Sequence, residues 1–226
     1  MSATIVQDAG LPGGKFVQNS EPHDHAVVYA IVLWLVADAL MAVSGGLNLM
    51  ILADTARHFS DSALRGAGHV ATLTIGFYGI ASVICGACVG RWIYRANAKA
   101  HSVSDSMTIS AFWSVGSFFV PVANLFLPYW AMRETWQVSI APTASLDVPV
   151  PSIMRIWWGL WVLRNVLGND AFRFYVNAST KAEFVWGSGL NIAVFFADIP
   201  IALLFLEIIR QLGANQRALV DTGIFE

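Results

Sequence analysis

Charge is absent from long stretches of this chain. No Asp, Glu, Lys or Arg lies between Arg65 and Arg91, or between Asp105 and Arg133. Only Asp38 interrupts the stretch from His25 to Ala53, and only Asp198 interrupts Phe184 to Leu206. A bilayer core of about 30 Å takes roughly 20 apolar residues as a helix. Four runs reach that length: 26–52, 69–90, 107–127 and 184–206. A fifth, 151–168, is shorter and carries Arg155 and Arg164. Hydrophobic residues make up 56% of the chain before its 18 glycines are added, and charged residues only 12%. Soluble domains run about 45–50% apolar with glycine included and about 25% charged, so the excess does not fit one soluble core. Backbone groups in lipid must bond within their own segment, which makes these runs helices. Short alternating segments of the β-barrel kind do not occur. The sequence predicts an all-α, polytopic membrane protein with five apolar segments.

The same numbers exclude other classes. A net charge of −2 argues against a nucleic-acid partner held by basic charge, and two cysteines against a disulfide scaffold. The first apolar run follows an acidic stretch (Glu21, Pro22, His23, Asp24, His25), not the basic flank of a removable signal. Residues 1–24 read as a flexible tail, 25–217 as one transmembrane domain and 218–226 as a C-terminal tail. The bilayer is the expected partner, with other membrane subunits or a second copy beside it.

Orientation follows Lys and Arg in short loops. Arg91, Arg95 and Lys99 form the densest cluster and are placed in the cytoplasm, which puts the N-terminus there too. With five crossings, Lys and Arg split evenly between the two sides. If the third segment enters and returns on one side, the inner face holds eight and the outer face keeps four: Arg57, Arg65, Arg173 and Lys181. The charge count favours four spans plus a broken or re-entrant third segment over five spans.

That segment supplies its own reason to break. Pro121 removes an amide hydrogen and clashes with the carbonyl four residues back, leaving the Ser117 carbonyl in need of a donor such as the Asn124 amide. Pro128 suits the first turn of a new helix. From there Tyr129, Met132 and Trp136 share one face while Arg133 and Glu134 stay polar, as in a helix lying at the membrane interface. A proline-kinked spanning helix is the alternative.

Four motifs occur in order: R-W-I-Y-R-A-N-A-K-A-H (91–101), F-V-P-V-A-N-L-F-L-P-Y-W-A-M-R-E-T-W (119–136), W-W-G-L-W-V-L-R-N-V (157–166) and I-I-R-Q-L-G-A-N-Q (208–216). Together they resemble the bacterial membrane-protein family named domain of unknown function 4328, over roughly residues 70 to 217. The proline-asparagine-proline run is the most specific part. The resemblance implies a cytoplasmic, basic C-terminal end, although this chain carries only Arg210 and Arg217 there. It implies no activity, cofactor or catalytic residue.

Asp38 and Asp198 lie near the middle of their segments, where a carboxylate costs about 2.5–3.5 kcal/mol to insert. Together with Arg164 and Asn124 they form the candidate intramembrane polar site. Asp38 shares a helix face with Ala42, Gly45 and Gly46, which lets another helix approach, and Asp198 precedes Pro200, which frees backbone acceptors. One reading is a proton or cation site; the other is a pair of structural carboxyls, one paired with Arg164. Cys85-Gly86-Ala87-Cys88 sits late in an apolar helix, where buried thiols are inert. Gly79, Ser82, Gly86 and Gly90 there predict close helix packing.

Other constellations are missing from the sequence. HExxH, GxSxG, a P-loop and GxGxxG do not occur. Ser188 between Gly187 and Gly189 has no histidine in an apolar segment to serve as its base. His23 and His25 belong to the tail, and no metal site or cofactor is expected. Trp157, Trp158 and Trp161 crowd one segment, as an aromatic belt or a surface where a lipid or quinone stacks. The sequence points to a non-enzymatic accessory, assembly or scaffold component of the bacterial inner membrane. A small proton- or ion-coupled transporter or channel using the intramembrane carboxylates is the alternative.

Overall fold

The computed structural model describes residues 21–53, 61–142, 146, 148–177 and 180–221. Among them all regular structure is helical: α1 (Glu21–Ala53), α2 (Asp61–His101), α3 (Ala111–Gly116), α4 (Leu127–Ile140), α5 (Ser152–Asn177) and α6 (Lys181–Asp221). Two single 3-10 turns, Ser117–Phe119 and Ala123–Leu125, lie between α3 and α4. The N-terminal reading of a tail over 1–24 meets the structure only at its last residues, because α1 already begins at Glu21; residues 1–20 and 222–226 lie outside the described residues.

Three stretches, His25–Ile51, Gly68–His101 and Ala182–Leu219, are long and apolar enough to cross a membrane. α5 has 26 residues, about 39 Å at 1.5 Å each, but interrupts its apolar surface with Arg155, Arg164 and Asn165. The region 107–127 is no spanning helix. It is divided into a six-residue α3, two 3-10 turns and the start of α4.

The long helices form an arc in the order α2, α1, α6, α5, each packed on its neighbour, while α2 and α5 do not pack along their length. Adjacent members run antiparallel. Asp198 lies beside Asp38, and a Cβ on Gly45 would sit 3.7 Å from the Ser188 carbonyl oxygen, so α6 descends where α1 rises. The start of α1, the end of α2, the start of α5 and the end of α6 therefore share one end of the bundle.

That end is where α3 and α4 lie. Met132 and Trp136 of α4 join Val27, Ile93, Met154, Trp157 and Leu212 in the main core. Ala100, Met107 and Val138 make a smaller cluster beside it. The Gln216 amide donates to the Ala96 carbonyl at 2.9 Å, and the Asn97 amide to Thr135 Oγ1 at 3.0 Å. The Gln137 amide holds the outgoing loop through the carbonyls of Leu146 and Val148, both at 2.7 Å. The chain thus leaves α2 and enters α5 at the same end.

Between those points it dips inward. A Cβ on Gly90 would lie 3.2 Å from Val115 Cγ1, the Phe118 ring meets Trp161 edge-on, and the Leu125 carbonyl accepts from Trp158 Nε1 at 3.2 Å. Gly90 is eleven residues before His101, so the excursion reaches about 16 Å along α2.

Two local expectations fail here. The Ser117 carbonyl accepts from the Val120 amide, not from Asn124, because a 3-10 turn replaces the helix that Pro121 would have disrupted. Nor does α4 lie on a surface with Glu134 in water. Glu134 is buried and accepts from the amides of Thr108 (3.0 Å) and Ile109 (3.1 Å) and from the Thr108 hydroxyl, while Arg133 is exposed. Periodicity alone could not show that the loop before α3 folds over this carboxylate.

Candidate functional site

A buried polar cluster draws side chains from all four long helices. Asp198 of α6 is fully buried, and Asp38 of α1 is 5% exposed. Arg164 of α5 reaches across, its Nε donating to Asp198 Oδ1 at 2.9 Å and its Nη2 to Oδ2 at 3.1 Å, a two-pronged pairing that fits the planar guanidinium. The same Nη2 donates to the Tyr78 hydroxyl of α2 at 2.8 Å. The Trp34 ring of α1 lies under the guanidinium, 5.5 Å from centroid to Cζ, an additional cation–π contact. Trp34 and Asp38 are one helical turn apart, so α1 presents both to the same place.

The Asp38 carboxyl lies beside that of Asp198. Its Oδ2 is buried without a hydrogen-bond partner. Small residues allow α1 and α6 to meet here: Ala37 and Ala42 are buried, and Gly45 opposes Ser188. Asp38, Asp198 and Arg164 thus come together, while Asn124 does not join them. It is half-buried in the second 3-10 turn, its Oδ1 without a partner, because the break at Pro121 carries it toward α4. Tyr78 and Trp34 complete the cluster. A phenol alone in an uncharged apolar run was the available signal for Tyr78, and the four-residue spacing to Asp38 that for Trp34.

Pro121 and Pro128 take up different roles. The Pro121 carbonyl accepts from the Ala123 amide at 2.8 Å across Val122, which has φ 68°, forming a tight turn of the rare positive-φ γ kind. Pro128 sits in the first turn of α4, where its missing N–H is not needed. Of the glycines read as packing positions, Gly90 alone meets another element, α3. Gly79 and Gly86 are exposed and would place a Cβ with nothing within 4 Å, because α2 stands apart from α5 on that side. Cys85 and Cys88 are free and half-buried, their side chains against the core. Trp157 and Trp158 are buried, not at a rim: Trp157 stacks on Phe205 (5.0 Å) and Trp158 on Trp161 (4.7 Å).

The family model described as Domain of unknown function (DUF4328) matches residues 55–214. The chain belongs to this family. The match includes Tyr78, Arg164 and Asp198 and leaves α1, with Trp34 and Asp38, outside it. No curated protein and no solved structure matches the chain. The family description assigns no activity, so function rests on the chain's own chemistry.

Proposed function

We propose that this chain is a non-enzymatic, multi-pass protein of the bacterial inner membrane and serves as an accessory or assembly component. In this reading α1, α2, α5 and α6 cross the bilayer, and α3 and α4 enter and return on the cytoplasmic side. The N-terminus is cytoplasmic. One observation carries the reading: the Arg164 guanidinium is closed by Asp198 and Tyr78 and covered by Trp34. The intramembrane charge thereby joins all four long helices to one another. Buried charges that pair in this way hold a particular arrangement more than they add stability.

The open face of α2 supplies the surface for assembly. Its Gly79 leaves room for the backbone of another helix, which is how small residues act in membrane contacts. Purification of the full chain in mild detergent, with partners identified by mass spectrometry, tests this. Gly79→Leu is expected to lose a co-purifying subunit or second copy while the chain itself stays folded. Unchanged recovery of every partner would count against the role of that face. Reporter fusions after Lys99 and after Arg217 are both expected to read cytoplasm.

A second reading, a small proton- or ion-coupled transporter, is favoured by one observation, the unpartnered Oδ2 of Asp38 beside Asp198. Asp38→Asn separates the two. A stable variant that loses proton-linked flux in vesicles would place transport first; unaltered flux and growth would leave the structural reading in place.

A further inference from the structure

One turn from the Arg164 cluster, toward α3, the bundle contains a cavity of about 320 Å³. Its walls come from all four long helices and from Val115, Phe118 and Phe119. The Tyr78–Arg164 hydrogen bond bridges α2 and α5 below it, and Phe118, packed edge-on against Trp161, lines it toward α3. Gly86 and Phe119 are its exposed lining residues, so the cavity opens sideways where α2 and α5 stand apart.

We infer that this cavity binds a neutral, lipid-soluble ring compound bearing a carbonyl oxygen, the chemistry of a quinone, admitted from the bilayer between α2 and α5. The inference rests on the membrane reading above, because the opening lies within the apolar length of α2 and meets hydrocarbon only there. Among the described residues no charged side chain lines the cavity, and the nearby guanidinium is engaged by Asp198 and Tyr78, so a charged ligand would be unpaired. Flat aromatic walls, Trp34, Trp157, Trp161 and Phe205, favour a planar ring that stacks in offset fashion over a flexible chain. The volume is at the lower end of small-molecule sites, about 300–1,000 Å³.

The Ser82 side chain specifies the oxygen. Ser82 lines this largely apolar cavity with its hydroxyl oxygen buried in the wall and without a hydrogen-bond partner, so a turn about its Cα–Cβ bond presents the hydroxyl to a ligand. Ser82 lies nine residues before Arg91, about 14 Å deeper along the helix. Ester and phosphate groups of ordinary lipids stay near the interface, and a bare acyl chain would leave this hydroxyl unpaired. A ring ketone dissolved in the bilayer can enter the cavity and accept the hydrogen of the hydroxyl once it has turned inward.

The test uses the full chain in lipid nanodiscs and decylubiquinone, a short-tailed benzoquinone, with quenching of tryptophan fluorescence as the readout. Wild type is expected to show saturable quenching. Gly86→Phe, at a position where a side chain meets open space, should plug the opening and abolish saturation without lowering the unfolding temperature. Ser82→Ala should weaken binding about five- to tenfold through the loss of one hydrogen bond; it decides the matter if Gly86→Phe does not fold. Quenching that never saturates, or that neither variant alters, overturns the inference. So does equally tight, Ser82-independent displacement by palmitic acid, which would make the cavity a plain hydrocarbon slot. A chain that needs neither detergent nor lipid to stay in solution would instead overturn the membrane reading itself.

Discussion

Arg164 and Asp198 depend on each other in a way that Asp38 does not share. Removing one partner of a buried, hydrogen-bonded pair leaves an uncompensated charge, at a cost of about 3–5 kcal/mol. Asp198→Asn and Arg164→Gln are therefore expected to lower the unfolding midpoint in mild detergent sharply. The double variant Arg164→Leu/Asp198→Leu should recover most of that loss. Asp38→Asn, which keeps shape and hydrogen-bonding capacity, should leave the midpoint nearly unchanged; an equal loss at both carboxyls would contradict the pairing described here. Lone charges in apolar runs made Asp38, Asp198 and Arg164 legible in the sequence. Tyr78 and Trp34 carry no charge, and their place in the cluster follows from how α1 and α2 are rotated about their axes, which no local pattern encodes. Asn124 misled for the opposite reason: an amide within an apolar run resembles a member of the site until the break at Pro121 displaces it.

The segment from α3 to α4 is held by local chemistry at both ends and by a strained turn in the middle. Val122 is 70% exposed and β-branched, yet adopts φ 68°, a conformation that costs a side-chain-bearing residue about 1–2 kcal/mol. Val122→Gly removes that cost and adds backbone entropy to the unfolded chain of about 0.5–1 kcal/mol, so a small net stabilisation is expected. Val122→Pro, with φ fixed near −65°, should fail to form the turn. Thermal unfolding of the two variants side by side checks the sign of each effect; a stable Val122→Pro chain would rule out the turn. At the other end, Glu134→Ala strips the acceptor from two backbone amides and a hydroxyl before α3. Leaving such buried donors unpaired costs about 1–3 kcal/mol each, and faster proteolysis between Ser102 and Ser110 is the expected sign. The prolines showed that a straight helix could not pass here. The burial of Glu134, Thr135, Gln137 and Ser139 on α4 was hidden, because each has a partner outside α4, although the Thr135 and Ser139 hydroxyls also donate to carbonyls one turn back in their own helix.

Across the whole molecule, long apolar runs with at most one charge placed α1, α2 and α6 in the sequence, and their helical state followed from the bonding needs of backbone in lipid. α5 was harder to read, since the arginine that joins the four helices also lowers its apolar character. The account's central claim is that the chain leaves α2 and enters α5 on one side of the membrane, with α3 and α4 dipping between them. Single cysteines at exposed Ser102 and Ser152, in a Cys85→Ala/Cys88→Ala background, measure this most directly when labelled in intact cells by a membrane-impermeant thiol reagent. Both positions should be protected in intact cells and react only after the membrane is opened. Labelling of Ser152→Cys from outside, with Ser102→Cys protected, would mean that the segment crosses and would contradict the account.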